Sequence, residues 1–160
     1  PPRRAIVAAH AAGLGLTTTF ISITGQDEEA EQCAKMLDTY GVSARLFSDH
    51  DRPTTLKTRY RADGKTLLRV NQLRDHEVDE ALSKRILSEA MDRLSEIDML
   101  ILSDFSYGLL GGKIVNSLIK TARKKGVFIA ADSSPLPGVP LLAVGNEVSG
   151  STTLYRLDLE

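Results

Sequence analysis

The stretch Met99-Leu-Ile-Leu-Ser-Asp104, followed by Phe105-Ser-Tyr-Gly108, decides how the rest of the chain is read. A short unbroken apolar run, ended by Ser-Asp and a glycine-containing loop, is the pattern of a β-strand buried on both faces. Helix-like periodicity on either side makes it a central strand of a parallel α/β sheet, because crossover helices cover such sheets above and below. Sheets of this kind take ligands outside the carboxyl ends of their strands, which is where Asp104 falls.

Working outward, Glu77 to Ile97 place Val78, Leu82, Ile86, Ala90, Leu94 and Ile97 at helical spacing, with Lys84, Arg85, Glu89 and Arg93 on the other side. Downstream, Ile114, Val115, Leu118, Ile119 and Ala122 mark another helix. It closes with Arg123-Lys-Lys and Gly126, a cationic last turn and a residue suited to a left-handed cap. Val127-Phe-Ile-Ala-Ala-Asp132 repeats the opening pattern, so 99–132 reads as strand, helix, parallel strand. Ser133-Ser-Pro-Leu-Pro-Gly-Val-Pro140 reads as a loop, Leu141 to Val144 as a candidate strand, and Ser151 to Leu159 alternates weakly. No closing helix follows, and no strand precedes the first helix. The sheet is therefore expected to be incomplete at both ends.

The amino-terminal part follows the same rhythm. Ala5 to Ala12 is an alanine-rich helix stopped by Gly13 and Gly15, and Thr17 to Thr24 is a β-branched strand. Gly25-Gln-Asp-Glu-Glu29 opens a helix with an acidic first turn. Ala30, Cys33, Ala34, Leu37 and Tyr40 form its expected buried stripe, Gly41 its cap, and Val42 to Phe47 a short strand.

Arg52 to Asn71 breaks the rhythm. Thr54 to Ala62 and Lys65 to Val70 are strand-like arms joined by Asp63-Gly64, a dipeptide favoured in type I′ hairpin turns. Lys57, Arg59 and Arg61 alternate with Leu56, Thr58 and Tyr60, which sends three cations to one face. Regular pairing through the turn sets Arg59 opposite Leu68 and Arg69 opposite Thr58. Between Arg52 and Arg74 seven Lys/Arg face one acid, Asp63. Two strands alone are marginal in water, so the hairpin must lean on the domain or on a second copy of itself.

Composition narrows the function. With 42% hydrophobic and 26% charged residues, the 160-residue chain is a globular domain able to bury a core. A net charge of −1 offers no general attraction to nucleic acid or anionic membrane, and Tyr60 is the hairpin's lone aromatic. No nucleic-acid partner is expected, and no membrane, since no apolar run approaches the ~20 residues of a spanning helix. The single cysteine, Cys33, excludes an internal disulfide, fits a reducing cytoplasm and lies on a helix stripe, a poor place for a nucleophile. His10, His50 and His76 are scattered without metal-ligand spacing. Gly13-Leu-Gly15 precedes a strand instead of following one, and Gly108-Leu-Leu-Gly-Gly-Lys113 lacks the P-loop's hydroxyl residue after the lysine; neither is a nucleotide motif.

Two constellations remain. Asp104 and Asp132 end neighbouring parallel strands, which suits either contact with a substrate or metal-nucleotide, or capping of the loops that follow. Lys57, Arg59, Arg61 and Arg69 suit a phosphorylated ligand, because Arg and Lys give charge-assisted hydrogen bonds to phosphate oxygens. The same row also suits a solvated hairpin protected against edge pairing.

With these residues in hand, the chain resembles the ribokinase-type (PfkB) carbohydrate kinases, an α/β fold with a β-hairpin inserted after its first βα unit. Asp51-Arg-Pro-Thr-Thr-Leu-Lys-Thr-Arg59, Leu67-Leu-Arg69 and Leu102-Ser-Asp-Phe-Ser-Tyr-Gly108 resemble the heptose-phosphate kinase branch. The resemblance implies a three-layer αβα, mostly parallel sheet over 1–132, with 133–160 less defined. It implies a lid hairpin at about 52–71 that covers the sugar and serves as a homodimer contact. By resemblance Lys57, Arg59, Arg69, Asp104, Tyr107 and Asp132 bind a sugar-phosphate substrate in a cytoplasmic enzyme using ATP and Mg²⁺. The family's late Gly-Ala-Gly-Asp-type motif, with its catalytic base and anion hole, has no counterpart here. No catalytic residue or metal ligand is therefore assigned, and the chain alone is expected to be inactive.

Overall fold

A computed structural model describes residues 3–104, 107–133, 143–146 and 151–154, with side chains described for 5–103 and 107–131. The chain divides into two compact units, Pro1–Val78 and Asp79–Glu160.

In the first unit, α1 (Arg3–Gly13) is followed by β1 (Thr19–Thr24), α2 (Glu28–Thr39) and β2 (Ser43–Ser48). Strands β1 and β2 pair in parallel, Thr19 with Ser43 through Thr24 with Ser48. Ala5 and Ala8 of α1 let it pack closely on Cys33 and Leu37 of α2, with Val42, Phe20 and Ala44 completing the cluster. Leu37 is fully buried, worth roughly 1.5–3 kcal/mol by transfer of its side chain from water. Helix α2 begins where Asp27 accepts a hydrogen bond from the Ala30 N–H at 3.0 Å, the N-cap role its short carboxylate suits. It ends one residue before the expected end of the stripe. Tyr40 is the C-cap and 53% exposed, because the chain turns there into Gly41 at φ +70°. The buried stripe stops at Leu37.

From β2 the chain enters β3 (Leu56–Ala62) and β4 (Lys65–Gln72), an antiparallel pair. The expected Asp63-Gly64 turn is present, with φ of +48° and +75° at its two residues, both in the region a type I′ turn requires.

In the second unit, α3 (Glu80–Arg93) leads to β5 (Met99–Asp104), α4 (Gly112–Lys124) and β6 (Phe128–Ser133). Asp79 caps α3 by accepting from the Leu82 N–H at 2.7 Å, which trims the helix expected from Glu77. Strands β5 and β6 are parallel, Met99 with Phe128 through Asp104 with Ser133. Leu102 and Ala131 join Leu94, Ile114, Val115, Leu118, Ile119 and Ala122 in one core. The alternate residues Met99, Ile101 and Phe128 are 44%, 39% and 45% exposed. Among the described residues the opening strand is thus packed on one face, not both, because α3 and α4 contribute to the same cluster. Its second face keeps the apolar residues typical of a parallel sheet covered on both sides.

Two short strands, β7 (Ala143–Asn146) and β8 (Ser151–Leu154), pair antiparallel. Phe105 and Ser106 of the opening stretch, the loop expected over 134–140, and 155–159 lie outside the described residues.

Candidate functional site

From Leu56 to Gln72 the hairpin carries five Lys/Arg against one acid, and its register decides how that charge is displayed. Ala62 pairs with Lys65 and Arg61 with Thr66, as a two-residue turn dictates. The next pair is Tyr60 with Leu68: the register shifts, and Leu67 is an extra residue on β4. Beyond this bulge Arg59 stands opposite Arg69, Thr58 opposite Val70, Lys57 opposite Asn71 and Leu56 opposite Gln72. The expected pairs Arg59–Leu68 and Arg69–Thr58 are therefore wrong by one residue. A bulge sets two residues against one, and everything past it slips by a step.

The slip sorts the hairpin. Residues directly opposite share a face, so Arg59, Arg69, Lys57 and Asn71 lie on one side. Leu56, Thr58, Tyr60, Leu68 and Val70 lie on the other. Regular pairing would have put Arg69 among the apolar residues. Arg59 and Arg69 are both exposed, and neither has an ion-pair partner among the described residues. Opposed like charges destabilise a strand pair by roughly 0.2–1 kcal/mol, a cost that a bound anion would reverse.

The hairpin's root is buried and polar. Arg52 Nε donates to Asp49 Oδ2 at 2.6 Å, and Arg52 Nη2 donates to the carbonyl of His76 at 2.9 Å. This side chain ties the segment before β3 to the segment after β4. The Asp49 N–H donates to the carbonyl of Thr24 at 2.9 Å, anchoring the pair to the end of β1. Beside it, Thr54 N–H donates to Asp27 Oδ2 at 2.7 Å, and Gly25 N–H donates to Thr54 Oγ1 at 2.9 Å. Gly25 has no room for a side chain, since a Cβ there would lie 2.7 Å from both the Arg52 carbonyl and the Thr54 nitrogen.

The charges at this root are set by it. Burial pushes the Asp49 carboxyl up, but the Asp51 N–H and the Arg52 guanidinium outweigh it and hold its pKa below the usual aspartate value. At Asp27 burial is likewise outweighed, by hydrogen bonds from Thr54 and Ala30. Burial raises the Cys33 thiol, the opposite of what a nucleophile needs.

Asp104 and Asp132 close adjacent parallel strands one step apart in register, since Ser103 pairs with Asp132 and Asp104 with Ser133. Their side chains lie outside the described residues, while Tyr107 is partly buried just past β5. The three cations of the expected set are thus gathered on one hairpin face in the first unit; Asp104, Tyr107 and Asp132 belong to the second. Among the described residues no three His, Cys, Asp or Glu gather to hold a metal, and no helix is long and apolar enough to cross a membrane. A groove of about 270 Å³ lined by Ala5, Ile6, Ala9, His10, Met36 and Tyr40 shares no residue with the hairpin.

Sequence reading missed Asp27, Asp49 and Gly25. Arg52 and Thr54 sat in the quoted Arg-Pro-Thr-Thr run, but nothing local marks their partners, which lie as far as 29 residues away.

Residues 5–144 match the family described as pfkB family carbohydrate kinase. The bifunctional protein HldE of Pseudomonas syringae pv. syringae is 36% identical over 133 residues, covering 82% of this chain and 27% of that protein. HldE of Azorhizobium caulinodans is 30% identical over 134 residues, covering 82% and 28%. The chain thus spans little more than a quarter of the length of these relatives. Among solved structures, a possible 1-phosphofructokinase from Thermotoga maritima superposes with TM-score 0.65 at 16% identity, over 82% of this chain and 41% of that one. Phosphofructokinase-2 from Escherichia coli in complex with fructose-6-phosphate does so with TM-score 0.57 at 20% identity, over 81% and 42%. The α/β fold is ribokinase-like, as expected, and incomplete relative to these neighbours.

Proposed function

The chain belongs to the pfkB family of carbohydrate kinases, and on that premise we propose that it is the sugar-phosphate-holding part of an ATP-dependent kinase. The hairpin acts as a lid, and its cationic face receives the phosphate of a sugar phosphate, heptose-like as in the branch it resembles. The observation that carries this reading is Arg59 set opposite Arg69, with Lys57 on the same face. Two opposed guanidiniums are unfavourable alone and favourable around a dianion. By family resemblance alone, Asp104, Tyr107 and Asp132 of the second unit are further candidates for substrate contact. The neighbour solved with fructose-6-phosphate supports a phosphorylated acceptor.

When bound, ATP would supply the transferred phosphoryl group and Mg²⁺ would offset the negative charge on it. Among the described residues no cluster of carboxylate, imidazole or thiol groups is gathered to hold Mg²⁺. Nor is a catalytic base assigned: this chain alone holds its acceptor but does not turn over ATP. Such an enzyme works in the cytoplasm, where ATP is made.

The test is calorimetric titration with a heptose phosphate, fructose 6-phosphate and the unphosphorylated sugars. Binding of the phosphates alone, lost in Arg59→Ala and Arg69→Ala, supports the reading. Equal binding of unphosphorylated sugar, or no effect of either substitution, refutes it. Steady ATP turnover by the purified chain refutes its inactivity.

A second reading rests on the other hairpin face, where Leu56, Tyr60, Leu68 and Val70 are 40%, 55%, 54% and 46% exposed. This apolar face suits homodimerisation through the lid, which gives the two-stranded sheet the support it lacks alone.

A further inference from the structure

We propose that Arg52 is a positioning residue: clamped between Asp49 and the carbonyl of His76, it fixes the pose of the cationic face and so the discrimination between a sugar phosphate and free phosphate. The inference rests on the lid reading above and adds a residue outside the phosphate-binding face.

The argument is one of contrast between root and blade. Every residue of β4 is exposed, as are Leu56 and the residues from Arg59 to Ala62 on β3. A solvated two-stranded blade has little packing to hold its direction. Its root is the opposite: Asp49, Arg52 and Thr54 are 7%, 6% and 8% exposed. Arg52 reaches across 24 residues of chain to the His76 carbonyl while its Nε holds Asp49. Through the Asp49 N–H and Thr24 carbonyl, this fork is fixed to the first parallel pair. Thr54 adds a second tether to Asp27, which also caps α2, so the incoming arm is joined to a helix start as well as to a strand end.

The guanidinium is needed for this because it bonds in two directions from a rigid plane. A lysine keeps the charge and one partner but cannot hold both. Loss of the clamp leaves Arg59 and Arg69 opposed, so a small anion is still attracted. A sugar phosphate, bulkier than free phosphate, needs Lys57, Arg59 and Arg69 held in one pose on the hairpin root, and that preorganisation is then lost.

The experiment compares inorganic phosphate and fructose 6-phosphate binding to the chain and to Arg52→Lys, with amide hydrogen exchange of both proteins without ligand. The expected result is an affinity for fructose 6-phosphate reduced about tenfold, with that for inorganic phosphate changed less than about threefold. Exchange should accelerate at 56–72 and stay unchanged in β1 and β2. Equal loss for both ligands, or loss for neither, overturns the proposal. If Arg52→Lys unfolds, Asp49→Asn gives the same comparison: it keeps the shape but has one acceptor oxygen where Asp49 uses two, for Arg52 Nε and the Asp51 N–H, and no charge to hold the guanidinium. If the native chain binds neither ligand, the lid reading fails, and the exchange result alone decides the clamp: faster exchange confined to 56–72 supports it, unchanged exchange overturns it.

Discussion

Arg59 stands directly opposite Arg69 across the hairpin, although a regular ladder from the same turn would place Leu68 there. The extra residue Leu67 makes the difference. It brings two guanidiniums into register on one face and leaves Tyr60 opposite Leu68 on the other. Removing either arginine should therefore have opposite effects on stability and on binding. Arg59→Ala or Arg69→Ala relieves repulsion of roughly 0.2–1 kcal/mol, so the melting temperature should hold or rise. Sugar-phosphate affinity should fall about tenfold or more, since a hydrogen bond to a charged group is worth roughly 1.5–3 kcal/mol. In a full-length relative, ATP affinity should stay nearly unchanged; equal loss of both ligands would place Arg59 elsewhere.

Deleting Leu67 should close the bulge without removing a charge. The ladder would then run without interruption from Thr66 opposite Arg61 to Leu68 opposite Tyr60 and Arg69 opposite Arg59, the pairs already present beyond the bulge. Cross-strand nuclear Overhauser contacts of the 59/69 pair should persist, and sugar-phosphate binding should stay within about threefold of the native chain. Loss of binding with the 59/69 contacts intact would show that the opposed pair is not what holds phosphate.

Tyr60→Asp puts a charge into the centre of the apolar hairpin face. If that face joins two copies, sedimentation should show a dimer becoming a monomer. A chain that is monomeric with or without the substitution would remove the dimer reading and leave the cationic face untouched.

The root of the hairpin should respond to acid. The Asp49 pKa lies below its usual value in the folded chain. Its contribution is then full above the ordinary aspartate pKa and disappears as pH falls through the lowered folded value. The stability gap between the native chain and Asp49→Asn, measured by urea unfolding, should be largest near neutrality and shrink on acidification. A gap independent of pH would mean that the Asp49 charge contributes nothing.

Gly25→Ala should destabilise the first unit by about 1–3 kcal/mol. The added carbon would sit 2.7 Å from the Arg52 carbonyl and the Thr54 nitrogen, and backbone atoms yield little. A melting temperature unchanged within error would show that the hairpin root is looser than its geometry.

Much of the molecule was legible in the chain because it rests on local rules. The apolar runs ending in Asp104 and Asp132 named two parallel neighbours, the alternation of Lys57, Arg59 and Arg61 named a charged strand face, and Asp63-Gly64 named its turn. The Arg-Pro-Thr-Thr run carries the family resemblance in the sequence itself. Tyr40 misled because helical spacing continues past the point where Gly41 turns the backbone. The exposed face of Met99 and Ile101 misled because an apolar run reports what a strand can bury, not what lies against it.

Two things were decided only in three dimensions. Leu67 and Leu68 are equivalent in sequence, and alternation cannot tell which of two adjacent leucines is the bulge; the pairing of whole strands selects it, because one choice separates cations from apolar residues and the other mixes them. The Asp49–Arg52–His76 clamp depends on atoms brought together across 24 residues of chain, and its value comes from burial, which exists only once the strand ends and the hairpin root have met. The sequence thus determined which charges this protein carries on its hairpin, and the tertiary structure determined which way they face.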